Sequence, residues 1–295
     1  MSELRRPVKA GAPPWSGKQA RAMDGATMLR RVVGACLAQI QPNADAIALG
    51  SDDPEHVHQL RVGLRRLRSG VRGLAAFARG LPPAWEDAVR PVFDALGEAR
   101  DRHVRSTTLL PKLREAGAAI SDIDDPSKRG DAAIGRLVRR AEFQRVLREL
   151  SAFADEPGRG ADAGGDAGEG LARLVSRLRR LSRQVARGAR HFDELPFERR
   201  HNVRKRLKRL RYLAEFAAPA FGRSDVKAWL KKVSPAQDAL GRHVDLVQAE
   251  RHFAAATASR PDAWIAVGWL RAKSERSARD ARRALARLRD AKPFW

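Results

Sequence analysis

Apolar residues recur three and four positions apart along most of the chain, the period of amphipathic helices rather than strands. The pattern starts near Thr27 with Met28, Leu29, Val32 and Val33 and runs to about Gly50. Pro54, suited to a first helical turn, opens a second helix that reaches about Arg79, where Gly80-Leu81-Pro82-Pro83 stops it. Further helices are predicted from Pro83 to about Gly97, with Pro91 a possible kink, and over roughly 99–116 and 130–153. Residues 155–170, DEPGRGADAGGDAGEG, break the period and read as a Gly-rich acidic linker. Periodicity resumes at Leu171, predicting helices near 171–190, 196–217, 224–239, 241–258 and 262–290. Residues 1–24 show no period and read as a flexible basic tail. The expected organisation is a first helical repeat over 25–154, the linker, and a second over 171–295.

Composition agrees with an all-α fold. Ala, Leu and Arg dominate, and aromatic residues make up 6% of 295 residues. With 43% hydrophobic residues the chain can bury a sizeable core. No apolar run is long enough for a membrane span, and the opening residues lack a signal peptide's apolar core, so a soluble cytoplasmic protein is expected. The single cysteine, Cys36, excludes a disulfide scaffold and a cysteine zinc site; its apolar helical neighbours make it a core residue.

Charge changes the picture. The 58 Lys and Arg against 35 Asp and Glu leave a net charge of +23, and 47 of the cations are arginine. Such a surplus repels itself and attracts polyanions, and the guanidinium fork suits phosphate oxygens. The arginines are also ordered. His58-Gln-Leu-Arg61-Val-Gly-Leu-Arg65-Arg66-Leu-Arg68 matches His201-Asn-Val-Arg204-Lys-Arg-Leu-Lys208-Arg209-Leu-Arg211. A second pair follows: LGEARD, from Leu96 to Asp101, and LGRHVD, from Leu240 to Asp245. Leu96 follows His58 by 38 residues and Leu240 follows His201 by 39. Two ordered matches at a preserved spacing indicate an internal duplication, expected to pack as two similar bundles with pseudo-twofold symmetry.

On a helix, with His58 at zero, Arg61, Arg65, Arg68 and Arg72 fall within an arc of about 80°. Leu60, Leu64, Leu67, Val71 and Leu74 occupy a separate stripe at roughly 160–240°. His201, Arg204, Lys208 and Arg211 repeat the cationic arc, with Lys205 at its edge; Glu215 stands where Arg72 would be. The first arc contains no acid of its own, so its like charges repel until an anion joins them. Extending roughly 20 Å, it suits a linear polyanion better than one small phosphate ester. Arg66 and Arg209 point off the arc and are expected to be outer or solvated. Asp101 and Asp245 are expected to pair with arginines and orient them.

Other chemistry lacks support. The histidines His56, His58, His103, His191, His201, His243 and His252 form no i, i+4 pair and no H-E-x-x-H, so no metal site is expected. There is no phosphate loop and no G-x-S-x-G elbow, so neither catalytic residues nor a cofactor are expected. The tryptophans do not interleave with the basic stripes as platforms for single strands would. A nucleic-acid binder using the same basic surface is the alternative that charge alone leaves open.

These motifs resemble the CHAD family, the conserved histidine α-helical domain. The likeness rests on H-x-x-R-x-x-x-R-R-L-R at His58, H-x-x-R-K-x-x-K-R-L-R-Y from His201 to Tyr212, LGEARDRHV at 96–104, LGRHVD at 240–245 and the closing KPFW. It spans residues 25–295 and implies two similar all-α bundles around a basic groove or pore. It further implies non-catalytic binding of inorganic polyphosphate and association with polyphosphate granules. The implied contacts are His58, Arg61, Arg65, Arg68, His201, Arg204, Lys205, Lys208 and Arg211. In many relatives the domain accompanies a triphosphatase-like domain. This sequence has no room for one and so resembles a stand-alone member.

Overall fold

The structure, a computed structural model, describes residues 6–118, 127–156 and 166–295. The described residues form helices and no strand. Of the expected linker, 157–165 lie outside the described residues, as do residues 1–5 of the expected tail. Two compact units emerge. The first comprises Met1–Arg100, Pro126–Leu178 and Tyr212–Gly222; the second comprises Asp101–Asp125, Arg179–Arg211 and Arg223–Trp295. Three of their limits, at Arg100, Leu178 and Arg211, fall inside helices, and none falls in the glycine-rich segment.

The first unit is built on α2 (Gly25–Ala48). Asp24 caps it, accepting from the Thr27 backbone N–H at 2.8 Å and from the Thr27 hydroxyl at 2.7 Å. Met28, Leu29, Val32, Val33, Cys36, Leu37 and Ile40 are buried along it. The partner helix α3 (Pro54–Gly73) buries Leu60, Leu64, Leu67 and Val71, each contributing on the order of 2 kcal/mol. The two helices approach closely at glycines. A Cβ on Gly63 would lie 2.7 Å from Ile40 Cγ1, and one on Gly70 would lie 2.4 Å from Val32 Cγ1. A buried amide bridges the same seam, Gln39 Nε2 donating to Gln59 Oε1 at 2.8 Å, while Asn43 Nδ2 donates within α2 to the Gln39 carbonyl at 2.6 Å.

The region expected to be a flexible tail is partly folded. A short helix, α1 (Gly17–Ala22), begins in a capping box between Ser16 and Gln19. Trp15, Ala20 and Met23 are buried, and Asn43 Nδ2 donates to the Val8 carbonyl at 2.9 Å. Single apolar residues set among basic ones give no periodic signal, although tertiary burial uses them.

Three other elements differ from the expected ones. After α4 (Trp85–Val104) the chain runs through a π-turn, Arg105–Leu109, into α5 (Leu110–Glu115). Pro111 in the first turn of α5 lacks an N–H and crowds the preceding turn, which accounts for the widened helix before it. The single helix expected over 130–153 is broken at Arg140 (φ −58°, ψ 138°) into α6 (Ser127–Val138) and α7 (Ala141–Asp155). After α8 (Glu169–Arg190) and α9 (Phe197–Ala217), the two helices expected over 224–239 and 241–258 are one, α10 (Arg223–Ala256).

In the second unit α10 pairs with α11 (Ala263–Arg289) as a helical hairpin. Leu109, Leu110, Leu113, Ala249, Phe253, Ala266, Val267 and Leu270 form a core there. Trp229 receives Phe294 and Trp295 edge-on, with ring centroids 5.5 and 4.9 Å away, anchoring the last residues.

Arg66, expected to be outer or solvated, is only 3% exposed. Its guanidinium lies 3.8 Å from Glu215 and 5.2 Å from the Phe216 ring centroid. The same pocket holds Cys36, whose thiol burial pushes up to about 12 despite the nearby cation. Glu215 therefore balances a buried arginine of α3. Replacing Glu215 by Ala leaves that charge without its carboxylate and is expected to lower stability by about 3 kcal/mol. The pair Arg66→Met with Glu215→Leu should recover most of the loss in urea denaturation.

Candidate functional site

The first motif lies on α3 and the second on α9, as the spacing predicts. In the first unit His58, Arg61, Arg65 and Arg68 are half-buried and Arg72 is exposed. Arg61 rests against α4 where Gly97 has no side chain; a Cβ there would meet the guanidinium at 3.4 Å. Arg65 and Arg68 lie over the Phe93 ring, 5.6 and 5.0 Å from its centroid.

α4 also supplies an acid that the motif itself lacks. Arg68 donates to Glu86 through Nε at 3.0 Å and Nη2 at 2.6 Å, and Arg72 donates to the same oxygen. Burial pushes the Glu86 carboxyl up, but the hydrogen bonds and charges of Arg68 and Arg72 outweigh this and hold it below the usual range. The far end of the first stripe is thus neutralised in place, and repulsion along α3 is partly relieved without a ligand. Nothing in the motif signals Glu86 or Phe93, because both come from another helix.

The second unit repeats the arrangement with different partners. Arg204 donates to Asp245 Oδ1 at 3.2 Å, the arginine–aspartate pairing expected for this residue. A Cβ on Gly241 would lie 3.9 Å from the Arg204 guanidinium. In both units the arginine of the H-x-x-R motif lies beside the glycine of the following LG pair, more tightly at Gly97 than at Gly241. The buried Arg204 Nε finds no hydrogen-bond acceptor among the described residues. Arg211 donates to Gln237 Oε1 at 2.9 Å, and Gln237 Nε2 donates to the Leu207 carbonyl. Lys208 and Arg209 are half-buried; Lys205 is exposed. Asp101 lies on α4 one turn beyond Gly97.

His201 is half-buried, edge-on to Phe197 with centroids 6.2 Å apart. Burial, with Lys205, Arg204 and Lys208 beside it, holds its imidazole below the usual value. Its charged form is therefore disfavoured. A second histidine is involved in structure: His243 is 2% exposed. Its Nδ1–H donates toward the Ser274 carbonyl and Ser277 Oγ at 3.2 and 3.1 Å, and its Nε2 accepts from Arg200 Nη1 at 3.2 Å. Arg200 also donates to the carbonyls of Leu195 and Asp193. His243 and Arg200 form the floor of an open cleft of about 430 Å³ that Asp193, Ser274, Glu275, Arg279 and Arg282 help to line. Burial and Arg200 lower the His243 imidazole as well.

Among the described residues no helix is long and apolar enough to cross a membrane. Among the described residues, which form no strand, α3 and α9 each carry a histidine and a row of partly exposed cations, and this defines an all-helical protein with basic helix faces. The family profile of the CHAD domain matches residues 31–254, and the chain belongs to the CHAD domain family. The crystal structure of the CHAD domain from the plant Ricinus communis superposes with a TM-score of 0.78 at 26% identity, covering 98% of this chain and 99% of that one. Two Mycobacterium tuberculosis proteins, Rv2226 and MT2285, are 28% and 27% identical over 218 residues, 70% of this chain. The alignment covers 41% of their length, so the chain spans well under half of these curated relatives.

Both depressed histidines make stability depend on pH. Unfolded, each titrates near 6.5; folded, each titrates lower, so below that value the unfolded chain binds more protons. The melting temperature is expected to fall as the pH drops from 7 through 6.5 and to level off below the folded values. The slope should be shallower in the double variant His201→Gln, His243→Gln, measured by scanning calorimetry across that range.

Proposed function

We propose that the chain binds inorganic polyphosphate, without cleaving it, on the cationic faces of α3 and α9. The observation that supports this reading most is the preorganisation of Arg61 and Arg204. Arg61 packs against α4 beside Gly97 and Arg204 is held by Asp245, so less side-chain entropy is lost when phosphate binds. His58 and Arg65 flank the first. His201, Lys205 and Lys208 flank the second, with Arg211 held by Gln237 one turn on. Arg68 and Arg72 exchange or share Glu86 with the ligand rather than waiting bare.

The duplicated motif belongs to the same proposal: two copies of one phosphate-binding helix, each backed by the helix that carries its LG pair. The chemistry needed is hydrogen bonding to non-bridging phosphate oxygens, and no nucleophile or general base is required for it. Association with polyphosphate granules in the cytoplasm follows from the ligand and is part of the proposal. The motif faces are poor in aromatic side chains on which bases could stack, which favours a polymer of phosphate alone.

Charge reversal of Arg61 and Arg204 together should weaken polyphosphate binding by roughly a hundredfold or more and leave the circular dichroism spectrum unchanged. Competition at near-physiological salt, with labelled long-chain polyphosphate displaced by unlabelled polyphosphate or by DNA and RNA, gives the second measurement. Nucleic acid should compete poorly per phosphate. Equal competition by all polyanions, or full affinity in the double variant, refutes the proposal.

His201 makes that binding pH-dependent. Phosphate beside the imidazole favours its charged form, so affinity should rise as pH falls from 7.5 to 6. Calorimetric titrations at both pH values should show a smaller rise in His201→Gln.

A further inference from the structure

The second unit carries another row of arginines, outside both motif copies. Arg179, Arg180, Arg183, Arg187 and Arg190 are all exposed on α8. With Arg180 at zero they fall between roughly 260° and 360°, an arc of about 100°. Leu178, Leu181, Val185 and Ala189 are buried and occupy roughly 100–180°. The arginine row is therefore opposite the packed face, on the side away from the contact of Gly188 with Val203 of α9. It extends about 16 Å along the axis.

This row differs from several exposed arginines of the same unit. On α11, Arg271 pairs with Glu250, Arg282 with Asp193, Arg283 with Asp280 and Arg289 with Asp290. On α8 no acid occurs between Glu169 and Asp193. Asp193 is engaged by Arg282, and Glu194 by His191. Among the described residues no carboxylate forms an ion pair with any of the five. Arg179 with Arg183 and Arg183 with Arg187 are i, i+4 like-charge pairs, and Arg180 with Arg183 and Arg187 with Arg190 are i, i+3 pairs, all of which destabilise a bare helix. The helix dipole favours cations in the last turn, which accounts for Arg187 and Arg190 but not for Arg179, Arg180 and Arg183.

We infer that this α8 face is a second polyphosphate-binding track, used by long chains in addition to the motif helices. The inference rests on the proposed function for the ligand's identity. A single straight row without aromatic neighbours suits a thin chain of phosphates. It offers nothing to stack a base or to follow a groove. Its role is auxiliary: tripolyphosphate fills a motif face, whereas a polymer reaches the α8 row as well and gains avidity.

The test compares the full chain with the variant Arg180→Gln, Arg183→Gln, Arg187→Gln. Its melting temperature should not fall, since like charges are removed from an exposed face. Tripolyphosphate affinity should stay within about twofold, while long-chain affinity should drop by roughly tenfold or more. The slope of log affinity against log salt should flatten by about two, three lost contacts at roughly 0.7 each. Unchanged long-chain affinity and slope, with motif variants still defective, overturns this inference alone. Failure of the wild type to bind polyphosphate of any length overturns it together with the proposed function. An equal loss for DNA and long-chain polyphosphate, per phosphate, also overturns it, because the row is then a generic positive surface.

Discussion

Lining one face of a helix with guanidinium groups costs free energy in the unliganded protein, and most of the local architecture here answers that cost. Repulsion between cations one turn apart can be reduced by a carboxylate from another helix, by stacking on an aromatic ring, or by a bound anion. The first unit uses Glu86 and Phe93 of α4 against Arg68, Arg72 and Arg65. The second uses Asp245 and Gln237 of α10 against Arg204 and Arg211. The same chemical problem is met in both units with different residues.

Glycine carries the other half of the arrangement. Gly97 and Gly241 lie inside long helices, where glycine is unfavourable by roughly 1 kcal/mol relative to alanine. A Cβ on Gly97 would meet the Arg61 guanidinium at 3.4 Å, whereas one on Gly241 would meet Arg204 at an ordinary contact distance of 3.9 Å. The helix–helix glycines Gly63 and Gly70 serve α3 differently, letting it approach α2 closely enough that its apolar stripe is fully buried and its cationic stripe is fixed in direction.

Not every arginine belongs to a ligand surface. Arg66 is adjacent to Arg65 in sequence yet is buried against Glu215, Phe216 and Cys36. Arg200 has its donors occupied by two carbonyls and His243. These two hold elements together, whereas the motif arginines keep contact with solvent and the α8 arginines from Arg179 to Arg190 are exposed. The distinction is one of environment, not of residue type.

Helix content, the location of both motifs on helices and the apolar stripe of α3 were legible in the sequence, because each follows from spacing within one element. The repeated spacing between each H-x-x-R motif and the following LG pair was legible, but not that the arginine and the glycine lie side by side. The fold of residues 6–24 around Trp15, the break at Arg140 and the merging of α10 through Gly241 were not legible, since they depend on what neighbouring elements offer. Arg66 was misplaced for the same reason: its helical angle is off the cationic arc, but only the position of Glu215 decides whether it meets water or a carboxylate. Periodicity along one chain determines which side of a helix is apolar or charged. Tertiary structure alone decides which of those charges receive a partner, because the partner comes from a residue distant in sequence.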